Sequence, residues 1–103
     1  MLTNWGDLLT NIPRLIAGTD YATPKQVLAT ITASTTQTQG QGAITATAQD
    51  IIAVVATCAN ANDTITLPAA VAGLTVFVLN NGAQTLKIFP ASGDNLGAGA
   101  NTA

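Results

Sequence analysis

The side chains able to carry chemistry in this chain are few. The acids are Asp7, Asp20, Asp50, Asp63 and Asp94, the bases Arg14, Lys25 and Lys87, and the only thiol Cys58; glutamate and histidine are absent. Two carboxylates can share acid and base roles, but nothing in the spacing of Asp50, Asp63 and Asp94 favours such a pair. Without histidine the commonest general base and the commonest metal ligand are both missing. A lone cysteine cannot build a thiolate metal site. The glycines at Gly93, Gly97 and Gly99 are not followed by the Lys-Ser/Thr pair of a phosphate-cradling loop. The expectation is a protein that is not an enzyme, with no catalytic residues, no metal and no cofactor.

Charge limits the partners in the same way. Charged residues make up 8% of the chain against 48% hydrophobic, and the net charge is -2; an average soluble domain is about one quarter charged. Neutralising several phosphates needs a cluster of Lys and Arg that this sequence lacks, so nucleic acid is not an expected partner. The longest apolar stretches, Ile51 to Ala56 and Leu67 to Leu74, fall far short of the roughly 20 residues that span a bilayer, so no membrane is expected either. The N-terminus has neither the basic region nor the continuous apolar run of a secretion signal, which reads as synthesis in the cytoplasm. Cys58 reads as a small buried hydrophobe in an apolar strand, with an intersubunit bridge or a reactive thiol as the alternatives.

The elements that must position these groups belong to one domain, because 103 residues suffice for a single thin core that benefits from partner chains. Residues 1–22 carry the only helical pattern: Trp5, Leu8, Leu9, Ile12, Leu15 and Ile16 recur at three- and four-residue steps, with Pro13 as a break. This predicts a short amphipathic helix or docking arm. Residues 23–42 follow as a strand from Val27 to Ala33 and a polar Gln/Thr/Gly connector expected to be an exposed loop. Residues 43–103 form a β module. Alternation from Ala43 to Ala48, the β-branched run Ile51 to Thr57, and Thr64 to Leu67 before Pro68 read as strands. A helix over Asp50 to Cys58 competes with the second of these. The 17 threonines suit pleated surfaces while supplying hydroxyls in place of charge. Asn60 to Asp63 reads as a turn, although Asn62-Asp63-Thr64 also matches a glycosylation sequon. No repeat of useful length is apparent.

The clearest local signal is Leu74 to Leu79, then Asn80-Asn81-Gly82-Ala83, then Gln84 to Phe89, which predicts an antiparallel hairpin around an Asn-Gly turn. Leu74, Val76, Val78, Leu86 and Ile88 fall on one face and Phe77 and Phe89 on the other. Apolar residues on both faces point to a sandwich or to intersubunit packing. The expected fold class is mainly β: a small antiparallel β-sandwich or barrel-like module with a short N-terminal helix or arm, completed by oligomerisation.

Three further segments match in order and spacing: Ile65-Thr66-Leu67-Pro68, then Ala72-Gly73 through Asn80-Asn81-Gly82, then Lys87-Ile88-Phe89-Pro90-Ala91-Ser92-Gly93-Asp94-Asn95-Leu96-Gly97. Together they resemble a recurring module of tailed-phage virion proteins, over about residues 64–103. The resemblance implies a β-structured unit that assembles symmetrically and decorates heads or builds fibres and tail parts. Similar modules usually continue past the Asn101 to Ala103 segment with one or two apolar strands, so a neighbouring subunit, or further chain, is expected to complete the sheet.

What this implies is a capsid decoration, or cement, protein on the virion surface, a homotrimer that lies over junctions of the major capsid protein and reinforces the shell. Ile65, Leu67, Leu74, Val76, Val78, Leu86 and Ile88 are the expected core and oligomer contacts, and Trp5, Leu8, Leu9 and Ile12 the expected capsid-docking residues. A tail fibre, neck or baseplate subunit is the alternative reading. A sugar-binding module on the virion surface is a lesser one, since only Trp5, Tyr21, Phe77 and Phe89 offer rings for stacking.

Overall fold

The computed structural model describes residues 25–103, and the expected N-terminal helix, with Trp5, Leu8, Leu9 and Ile12, lies outside them. Among the described residues the regular elements are five strands: β1 (Lys25–Thr32), β2 (Asp50–Thr57), β3 (Asp63–Thr66), β4 (Thr75–Asn80) and β5 (Leu86–Phe89). No helix forms over Asp50 to Cys58, where Ile51, Ile52, Val54, Val55 and Thr57 are β-branched and favour the pleated conformation.

The mainly β expectation holds, but the strands run parallel. β1, β2 and β4 form one sheet in that order, and β3 and β5 a second. Lys25 pairs with Asp50 and Asp50 with Thr75, so successive strands of the first sheet start twenty-five residues apart in parallel register. In the second sheet Asp63 pairs with Leu86. Residues 42–44 continue that layer on its other side: the Ile44 amide donates to the Thr66 carbonyl at 2.9 Å and the Thr66 amide to the Gly42 carbonyl at 3.0 Å. The chain thus winds through three stacked rungs, 25–44, 50–66 and 75–89, each with one segment in each layer. This is a short parallel β-solenoid. The repeat escaped the sequence reading because a rung demands only an in-out alternation and a corner, which many different residues satisfy.

The expected antiparallel hairpin does not form. β4 pairs with β2 and β5 with β3, in different sheets. Asn80-Asn81-Gly82 turns a corner between the layers. There the Asn81 amide donates to the Val55 carbonyl and the Gln84 amide to the Cys58 carbonyl, so the corner bonds to the rung beneath it. Gly82 is required by closeness: a Cβ on it would lie 2.4 Å from the Cys58 nitrogen and 2.5 Å from the Cys58 Cβ. Two parallel strands in one sheet need a crossover, which is why 17 or more residues separate sheet neighbours here, while the five residues 81–85 join strands that do not pair.

The core lies between the layers. Ile51, Ala53 and Val55 of β2 and Ile65 of β3 are at most 1% exposed, and Ala33, Ile44 and Cys58 join them. The strand expected from Ala43 to Ala48 reduces to a bridge at Ala43 and the buried Ile44. The polar connector is the exposed loop that was expected, and it is tied to the stack: Gln39 Nε2 donates to the Pro90 carbonyl, and the Gly40 amide to the Thr66 hydroxyl. β1 is paired with β2, so residues 25–32 and 50–57 share one sheet.

Candidate functional site: an apolar sheet face and an open rung

Parity places side chains on two surfaces of the three-stranded sheet. The even residues of β4, Val76 and Val78, point inward with Ile51, Ala53 and Val55. Its odd residues point outward in register with their neighbours, so Val27, Ile52 and Phe77 form one row across the three strands, and Val54 pairs with Leu79 beside it. Val27 is 61% exposed, Phe77 59% and Leu79 42%. The only charges in these outward rows are Lys25 and Asp50, in the first row beside Thr75. These side chains make a contiguous, exposed apolar patch.

The residues expected as core and oligomer contacts divide by rung. Ile65 is fully buried in the middle rung. Leu74, Val76, Val78, Leu86 and Ile88 are partly buried and pack against the core from the last rung. Leu67 is half-buried and helps to line a cleft of about 240 Å³ with Val71, Leu74, Val76, Pro90 and Leu96. Sequence reasoning put Phe77 on the face opposite Val76 and Val78, but did not select Val27, Ile52, Val54 or Leu79. The signal that finds them is the twenty-five-residue spacing of 27, 52 and 77, and of 54 and 79.

Among the described residues the acidic groups do not converge. Among the described residues no group of three or more His, Cys, Asp or Glu is placed to hold a metal ion, and no helix is long and apolar enough to cross a membrane. Asp94 accepts a hydrogen bond from the Ala70 amide at 2.8 Å. Asp63 is buried and ends its own hydrogen-bond network. Its carboxylate accepts from the Asn60 amide at 3.0 Å, from Asn60 Nδ2 at 3.3 Å and from Gln37 Nε2 at 3.4 Å. Burial pushes the Asp63 pKa up, but the hydrogen bonds from Asn60, Gln37 and Ala59 outweigh it and hold the carboxyl below its ordinary value. Asp63 therefore clamps the corner at 59–63 as an ionised structural group.

Cys58 is a buried free thiol near the Thr85 carbonyl at 3.5 Å. Desolvation, and then the neighbouring Asp63, raise its pKa, which disfavours the reactive thiolate. Among the described residues the arrangement presents an apolar surface, and no group of metal-ligating or acidic side chains converges. It defines a small parallel β-solenoid whose outer sheet face is apolar. Comparison with known protein families, with curated proteins and with solved structures found no match.

Proposed function

We propose that this chain is a non-enzymatic structural protein of a tailed-phage virion, a capsid decoration protein that binds the head shell over junctions of the major capsid protein and reinforces it. The observation that carries the reading is the outward row of Val27, Ile52 and Phe77 with Val54 and Leu79, a neutral apolar face built on a rigid hydrogen-bonded sheet. Burying such a face on a shell removes apolar surface from water at about 25 cal/mol per Å², before the costs of association. The resemblance over residues 64–103 supports the virion context, and the stripe of Trp5, Leu8, Leu9 and Ile12 supplies a second docking element. Self-association multiplies weak contacts into avidity on a symmetric shell.

A tail fibre or baseplate subunit is the second reading, favoured by one feature: a parallel stack lengthens by adding rungs, the geometry of a shaft. Locating the chain on intact particles by cryo-electron microscopy separates the two. Density on the head lattice is expected, and density confined to the tail overturns the decoration reading. Retention of purified protein on particles lacking it is expected to be lost on Phe77→Lys, and retention equal to wild type removes the sheet face from the reading.

A further inference from the structure

Of the asparagines in this chain, Asn81 alone is followed by glycine. That pairing has a chemistry of its own. Glycine has no Cβ to keep its backbone nitrogen away from the preceding side chain, so the Gly82 nitrogen reaches the Asn81 carboxamide carbon wherever the chain is free to turn. A bond forms between the Gly82 nitrogen and Asn81 Cγ, the Cγ–Nδ2 bond breaks, and the side-chain nitrogen leaves as ammonia with the glycine amide proton. Water then opens the cyclic imide. Breaking the ring bond to Cγ leaves aspartate. Breaking the ring bond to the main-chain carbonyl carbon leaves isoaspartate, whose backbone runs through Cβ and Cγ and is one methylene longer.

The fold acts on this reaction through the corner that holds the pair. Asn81 is exposed, so water and base reach it. The Gly82 amide donates to Asn80 Oδ1 at 2.9 Å, so the proton that must leave is already held in a hydrogen bond. Asn80 Nδ2 donates in turn to the Gln84 carbonyl at 2.9 Å, and Asn80 thereby clasps the corner with both ends of its carboxamide. The backbone on either side is bonded to the middle rung, by the Asn81 amide to the Val55 carbonyl at 2.8 Å and by the Gln84 amide to the Cys58 carbonyl at 3.2 Å. Ring closure requires the Asn81 backbone and side chain to rotate, and these bonds oppose the rotation.

We propose that Asn81 is a self-modifying site held back by its own corner: the bonded corner suppresses ring closure, and each lifting of residues 80–84 from the middle rung permits it. The rate in the folded protein is then the rate in the open chain multiplied by the fraction of time the corner is open, a local opening that does not require global unfolding. The two products differ in what they do to the fold. Aspartate keeps the ordinary backbone path, and its charge lies at an exposed position. Isoaspartate adds a methylene where there is no slack, since even a Cβ on Gly82 would lie 2.4 Å from the Cys58 nitrogen. The lengthened corner cannot reseat on the middle rung, and β4 and β5, which it joins, are held less firmly. The modification is a one-way record of rung opening.

Peptide mapping by mass spectrometry, with fragmentation that separates aspartate from isoaspartate, tests this on the full chain incubated in mildly alkaline buffer with and without unfolding urea. Both products are expected at Asn81 in urea, and about tenfold or more slowly in the native protein. In sub-denaturing urea the rate should rise in step with hydrogen exchange of the Gly82 and Gln84 amides. Asn80→Ala removes the clasp and should speed the native reaction about tenfold towards the rate in urea, which itself stays unchanged. Asn80→Asp keeps an oxygen for the Gly82 amide and should react more slowly than Asn80→Ala. If Asn80→Ala fails to fold, the urea series on the unmodified chain decides alone. The inference is overturned by equal rates in native and unfolded protein, by deamidation in urea that spares Asn81, or by a native rate that does not follow exchange at the corner. An isoaspartate form whose Gly82 and Gln84 amides are as protected as in the unmodified chain overturns the loss of reseating.

Discussion

The middle and last rungs use nearly the same residues and fare differently. Ile51, Ala53, Val55 and Ile65 are sealed, while Val76, Val78 and Ile88, which stack on them in register, remain partly exposed. Side-chain chemistry does not separate the two groups. What differs is that the middle rung has a neighbour above and below and the last has one among the described strands. In a quasi-one-dimensional stack stability is a sum of rung and neighbour terms, so burial is conferred by the next rung and not owned by the residue.

The strongest way to break this comparison is to cut equivalent side chains in the two rungs. Ile65→Ala should cost about 2–5 kcal/mol in urea unfolding, the range for a fully buried aliphatic, while Ile88→Ala in dilute protein should cost clearly less than half of that. Equal losses would mean that the last rung is as closed as the middle one.

The corner between layers comes next. Gly82→Ala forces a Cβ against the Cys58 backbone, so the corner must move away from the rung beneath it. A loss of about 1–3 kcal/mol is expected, as for other overpacked sites, measured by the same denaturation. Alanine at Gly93, where the added Cβ meets nothing within 4 Å but the backbone has φ of 87°, should cost less, about 1 kcal/mol.

Asp63 offers a smaller, pH-dependent contrast, with its sign fixed by the direction of the shift. Its folded-state pKa lies below the ordinary 3.8, so its contribution is fully present above that pH and is lost as pH falls from there through the folded value. Asp63→Asn should be less stable at neutral pH and should flatten the acid limb of the stability profile. An unchanged limb would show that the 59–63 corner does not depend on the carboxylate.

Phe77→Thr should have the smallest effect on the fold, within about 1 kcal/mol by thermal melting, because its ring is mostly in solvent already. A larger loss would show that the outer face is covered within the protein itself.

The sequence by itself determined composition, parity and corners. β-Branched runs announced β2, Pro68 and Pro90 marked strand ends, and the near absence of charge together with the lack of histidine argued against reactive and nucleic-acid roles. Alternation placed Val76 and Val78 with Leu86 and Ile88 on one side and Phe77 on the other, an assignment that survives because parity is local, set by the strand whatever it pairs with. The tertiary structure alone decided the pairing. An Asn-Gly corner closes a hairpin when its two strands are each other's best partners; here β2 and β3 offer parallel edges already in register, and Gly82 fits against Cys58 only when the corner lies on that rung. Asp63 shows the same division: the Asn60 to Asp63 turn is legible as local chemistry, but its burial beneath Gln37, twenty-six residues away, depends on how the rungs stack. Pairing is a competition among distant segments, and a single sequence carries the competitors without stating which of them wins.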